Sequence, residues 1–180
     1  MKGNGMPMRK DRLIIWFALI GALLANCGDP IKDDMVNYSH NVEEFLASFE
    51  SVVNQVGHPG RDRDTYLRTI NGSIIPAFAD LRDKLTNIDI KTREVLEINN
   101  AVIAALERYE EAFMQLSEAV EYMDEERFKK AEQTQAEAEN KLNEGAIKWD
   151  RLAEKHDVAN ILRKFMDDTM KSPLRLGERS

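Results

Sequence analysis

Three residues of metal-ligating type, His40, Glu43 and Glu44, fall within about one helical turn. An imidazole and two carboxylates at that spacing could present a divalent cation. Carboxylate-bridged di-metal bundles use Glu-x-x-His on two helices, and the chain contains no such motif. The cluster therefore reads as a charged, solvated helix face. His58 lies in the Gly57-His58-Pro59-Gly60 turn, and His156 stands near a helix end, where the helix dipole favours an imidazolium. Met35 and Met123 fall on apolar seams, and a methionine at helical spacing is core packing before it is a heme ligand. Gln135 interrupts another seam and is expected at an exposed or edge position. The pairs Asp33-Asp34 and Asp167-Asp168 are expected to stabilise or decorate helix ends. No Ser/His/Asp order, P-loop or zinc-ligand cluster is visible. The expectation is a protein with no catalytic constellation and no cofactor.

The remaining reactive residue is the sole cysteine, Cys27. Arg9, Lys10 and Arg12 precede an apolar run from Leu13 to Ala25, which closes on Leu24-Ala25-Asn26-Cys27. A positive segment, an apolar segment of about 7–15 residues and a small-residue processing site have the layout of a secretory signal peptide. The run is too short for a ~30 Å hydrocarbon core, which takes about 20 residues. The Leu24-Ala25-Asn26-Cys27 stretch resembles the lipobox of bacterial lipoprotein precursors. Leu24 and Ala25 match that pattern, while Asn26 stands where Gly, Ala or Ser is usual, and Asp11 is an acidic residue in the basic segment. The resemblance implies that Cys27 is the lipidation residue, through a thioether, and becomes residue one of the processed chain. One cysteine also allows no internal disulfide.

The whole chain has 25 basic and 32 acidic residues, a net charge of −7. Removing residues 1–26 takes away Lys2, Arg9, Lys10, Arg12 and Asp11, so the remainder carries about −10. Such a chain is repelled by phosphates, which disfavours nucleic acid as a partner. It is repelled by anionic headgroups too, so membrane attachment would have to come from lipid and not from a basic face. Roughly 154 residues are enough for one domain with its own core.

Apolar periodicity supplies only helices. Ile31, Met35, Tyr38, Val42, Phe45, Phe49, Val52 and Val56 alternate steps of four and three, a seam on one helical face. Asp29 and Pro30 supply a cap and a first-turn proline. A second segment, about Asp64 to Leu85, aligns Leu67, Ile70, Ile74, Phe78, Leu81 and Leu85. Asn71-Gly72 and Pro76 predict a kink or short break within it. Asn71-Gly72-Ser73 also has the form of a glycosylation sequon, but reads as local backbone chemistry. The third segment, about Thr92 to Met123, carries Val95, Ile98, Val102, Leu106, Tyr109, Phe113, Leu116 and Val120. The fourth carries Phe128, Ala131, Ala138, Leu142, Ala146, Trp149 and Leu152, with Gly145 lowering its helix propensity. A five-residue step from Met123 to Phe128 breaks the phase, and Asp124 offers an N-cap, so a tight turn is expected there without Gly or Pro. A single helix through both would reach about 90 Å, too long for a domain of this size. A fifth, shorter helix is expected from Val158 to about Met170, stopped by Pro173.

The predicted fold is all-α, an up-and-down four-helix bundle with a short extra C-terminal helix. Residues 1–26 form the signal peptide, 27–30 the lipidated cysteine and tether, 31–170 the bundle and 171–180 a disordered tail. Tyr109 to Asp124, with its Tyr-x-x-x-Phe and Ala-Val-x-x-x-Asp spacings, is similar to small helical-bundle lipoproteins of Gram-positive bacteria. Leu152 to Val158, after a long Ala/Glu/Lys helix, is similar to them as well. The resemblance implies a non-enzymatic interaction or structural module, lipid-anchored on the extracytoplasmic face of the cell membrane, with another envelope protein as the candidate partner. The alternative is a ligand- or metal-binding bundle at the cell surface.

Overall fold

The computed structural model describes residues 28–53 and 62–159. The chain separates into two compact units, Met1–Pro30 and Ile31–Ser180. All the described helices belong to the second unit, apart from Pro30, which opens the first of them. No strand occurs among the described residues. Helix α1 (Pro30–Val53) is followed by α2 (Arg63–Thr69), a π-helical turn (Ile70–Ile74), α3 (Ile75–Thr86), α4 (Arg93–Tyr122) and α5 (Glu125–His156). With α2, the π-turn and α3 forming one interrupted segment, four antiparallel segments close into an up-and-down bundle, the predicted fold class.

Local chemistry explains most element ends. Asp62 caps α2 by accepting from the Thr65 amide (2.9 Å) and hydroxyl (2.8 Å). The break expected near Pro76 is the π-turn: Ile75 N–H reaches five residues back to the Ile70 carbonyl. Pro76, which has no N–H to give, then sits in the first turn of α3, where none is needed. The extra residue keeps Ile70, Ile74, Phe78, Leu81 and Leu85 all buried on one side of the interruption and the other.

The α4–α5 connection is as tight as expected. Met123 adopts a left-handed conformation (φ 52°), and the amides of Met123 and Asp124 both bond to the Ala119 carbonyl. That is the helix-terminating arrangement usually built around glycine; a non-glycine residue there costs about 1–2 kcal/mol. Asp124 then caps α5 by accepting from Glu126 N–H (3.0 Å) and Arg127 N–H (3.1 Å). Because its backbone is in this turn, Met123 leaves the helical face on which the periodicity placed it and is 79% exposed, a correction to its core assignment.

Asp34 stabilises a helix end, but that of α4 and not of its own helix. It is buried in the bundle and caps α4 from across it, accepting from Lys91 N–H, Thr92 N–H (2.8 Å) and Thr92 Oγ1–H (2.6 Å). Thr92, the N-cap position of α4, makes no side-chain cap of its own. Nearby, Asn37 donates to the Asp89 carbonyl (3.3 Å) and Asn99 to the Leu85 carbonyl (3.1 Å), holding the α3–α4 connection against α1 and α4.

The core divides by side-chain size. Helices α4 and α5 make the most extensive close approach in the bundle; Ala105, Ala112 and Ala119 on one and Ala131, Ala138 and Ala146 on the other are all buried. Gly145 belongs to this contact: a Cβ there would meet the Ala101 Cβ at 3.4 Å. Large side chains from all four segments fill the rest of the core. Phe78 sits edge-on to Phe49 (4.9 Å) and stacked with Tyr109 (5.6 Å) and Phe113 (5.5 Å). Tyr38 lies 5.5 Å from Trp149. Gln135 is buried, against the expectation of an exposed or edge position, and donates to Glu139 Oε1 at 3.2 Å. A one-turn reach along its own helix lets a long amide stay hydrogen-bonded inside the seam.

The predicted C-terminal helix lies outside the described residues except for Val158 and Ala159, which follow α5 without helical structure. Asp157 ends α5 in a left-handed conformation (φ 53°), with Val158 N–H bonded to the Ala153 carbonyl. The Gly57-His58-Pro59-Gly60 turn, Val56, and the 171–180 tail also lie outside the described residues.

Candidate functional site

The largest exposed apolar side chains of the described residues meet at one end of the bundle. Met123 and Tyr122 are 79% and 64% exposed, and no other large hydrophobic residue described exceeds 53%. Next to them, Val120 on the last turn of α4 and Phe128 on the first turn of α5 are half-buried. With Met123, Arg63 and Glu125 they line an open cleft of about 420 Å³. Four apolar positions converge here because the left-handed residue reverses the chain within one step. The last turn of one amphipathic helix and the first turn of the next are thereby set side by side.

The charged groups of this end are ordered by the same turn. Arg63 donates through Nη2 to the Glu121 carbonyl, which ties α2 to the end of α4. Arg127 lies over the Tyr122 ring, 5.6 Å from its centroid, and pairs with Glu118 and with Asp124 (3.2 Å). Lys129 reaches Glu125 at 3.5 Å. The Asp62 carboxyl is held below the ordinary carboxylate range by the backbone and side-chain hydrogen bonds from Thr65. It is ionised at neutral pH and adds to an acidic rim. This geometry can bind. It holds no nucleophile–base pair.

The residues singled out in the sequence are scattered. His40, Glu43 and Glu44 are all exposed on α1, and no group of three His, Cys, Asp or Glu side chains able to hold a metal is formed among the described residues. Met35 is fully buried packing and His156 is the last residue of α5. Cys27, His58, Asp167 and Asp168 lie outside the described residues. Sequence reasoning missed the turn itself as a surface. The available signal was a methionine at a position where turn geometry favours glycine.

Two buried phenols should make the stability of the bundle fall at alkaline pH. Tyr38 and Tyr109 are 0% and 1% exposed, and their hydroxyls find no hydrogen-bond partner among the described residues. Burial pushes both phenols well above their ordinary value of 10.0, with Glu139 adding to the effect at Tyr109. The folded values are raised, so the stability at stake is intact below about pH 10 and is lost as pH rises above it. There the unfolded chain ionises and the folded one resists. Each tyrosine should cost about 1.4 kcal/mol per pH unit above that point. Urea titrations at pH 9 and 11 should show Tyr38→Phe and Tyr109→Phe each removing part of that slope. An unchanged slope in both variants would mean that these phenols are not the cause.

No protein-family model matches the chain, and no curated protein or solved structure matches it.

Proposed function

We propose that this chain is a lipid-anchored protein of the cell envelope, held to the extracytoplasmic face of the membrane through Cys27, and that its bundle serves as a non-enzymatic interaction or structural module. The observation that carries this reading is the position of the sole cysteine, directly after a positive segment and an apolar run too short to span a bilayer. No helix among the described residues is long and apolar enough to cross a membrane, so on this reading attachment falls to Cys27. Cys27 precedes Pro30, the first residue of α1, by three positions. Helix α1 begins at the end of the bundle that holds the Asp34 cap and the Lys32–Asp157 pair. The α4–α5 turn is at the other end, about 45 Å along the 30 residues of α4.

The test is fractionation. One acyl chain gives marginal membrane binding, whereas two or more hold a protein stably. Cys27→Ser should shift the protein from the membrane to the soluble fraction or leave an unprocessed precursor of lower mobility. A variant that fractionates and migrates as the wild type does would overturn the lipid anchor.

A further inference from the structure

The turn that joins α4 to α5 combines three features that folding alone does not require. Its left-handed position is held by Met123, where glycine would close the same turn without a Cβ penalty. The methionine side chain is largely exposed and buries little in exchange. Beside it an open cleft with Val120 and Phe128 in its wall stays uncovered. Methionine is unbranched and polarisable, and it suits surfaces that must adapt to another apolar group.

We propose that this tip is a docking surface for a cationic amphipathic segment of a partner protein. An apolar side chain of the segment would enter the cleft against Met123, Val120 and Phe128, and its basic residues would face the acidic rim. The charge of the rim selects the partner. Arg127 is paired with Glu118 and Asp124, whereas Arg63 donates to the neutral Glu121 carbonyl and keeps its charge; over residues 62–64 and 118–130 seven carboxylates still outnumber four basic side chains, so the tip is acidic. The carboxylates of Asp64, Glu121 and Glu126 make no ion pair among the described residues. A basic segment is drawn to that field. A second copy would bring the same acidic tip, and an anionic headgroup surface would be repelled for the same reason. Size points the same way. A cleft of about 420 Å³ suits one or two side chains, while a stable globular interface takes about 20–30 residues a side.

The docking surface deepens the interaction-module reading and rests on it, but fractionation of Cys27→Ser and binding at the tip are separate measurements, and either can fail alone. The probe is a synthetic fluorescein-labelled amphipathic helix of leucine and lysine, about five turns long at 3.6 residues per turn. It is titrated with the purified full-length chain in nonionic detergent, with detergent alone as the blank. A matched peptide with glutamate in place of lysine is the charge control. Binding of the basic peptide should weaken about tenfold in Met123→Gly and at least as much in Glu121→Lys/Glu126→Lys. Met123→Gly should melt at the same temperature as the wild type or higher, because glycine relieves the left-handed position. Equal binding by wild type and Met123→Gly would overturn the proposal, as would equal binding of the acidic peptide. Self-association of the wild type that Met123→Gly abolishes, measured by sedimentation, would overturn it in favour of a second copy.

Discussion

Trp149→Ala is expected to destabilise the bundle by about 3–5 kcal/mol, the cost of deleting a large buried aromatic side chain and leaving a partly collapsed cavity. Trp149 is completely buried and lies 5.5 Å from the Tyr38 ring, so it packs α1 against α5. It also donates from Nε1 to the Ala159 carbonyl (3.4 Å), fastening the chain beyond α5. Few small residues could compensate, because the neighbouring α5 positions Ala146 and Ala153 are already committed to close approach. Phe113→Ala, 4% exposed and stacked on Phe78, should fall in the same range. Against a total stability of about 5–15 kcal/mol, either change would be a large share. Urea denaturation monitored by helical circular dichroism reads the loss directly. Lys129→Ala is the surface control, with an expected change within about 0.5 kcal/mol, since its pairing with Glu125 is solvent-exposed. Similar small losses at Trp149, Phe113 and Lys129 would show that the facing of these helices is wrong. Glu139 is a poorer control: it is exposed, yet it accepts from buried Gln135.

Asp34→Ala should cost about 2–4 kcal/mol, more than an ordinary cap, because the carboxylate is buried and serves another helix. Its loss leaves Lys91 N–H and Thr92 N–H without their acceptor at the start of the 30-residue α4 and releases the Thr92 hydroxyl. Asp34→Asn keeps an acceptor oxygen and should lose roughly half as much, the difference being the charge on the hydrogen bonds. Asp33→Ala, exposed one residue earlier, should change stability by no more than about 0.5 kcal/mol. Hydrogen exchange gives a second readout: in Asp34→Ala, protection should fall first in residues 87–95 and in the first turns of α1. A uniform loss across all helices, or none in these segments, would contradict a local clasp.

The helices and their inward faces were legible in the sequence. Steps of three and four place Tyr38, Val42 and Phe49, then Phe78, Leu81 and Leu85, then Val95, Ile98, Val102, Leu106, Tyr109, Phe113 and Leu116 on single stripes. Every one of these residues is buried. The stripes could be read because hydrophobic burial acts on each helix separately and writes its period into the chain. The helix starts at Pro30 and Glu125 and the interruption before Pro76 were legible for a related reason, since each is set by chemistry within a few residues.

Other features depend on atoms distant in the chain or on a single dihedral, and these emerged only once the helices were packed. Asp34 caps a helix that begins 59 residues later, and no local pattern distinguishes it from the exposed Asp33. Gln135 is buried because its amide is satisfied one turn along, inside a seam whose depth is set by the neighbouring helices. Met123 had the right spacing for the core and lost it to one left-handed residue, which turned the side chain outward and opened the cleft beside it. Periodicity counts residues as if the helix continued, so it carries no information at the step where the helix stops. In this chain that step forms the candidate binding surface.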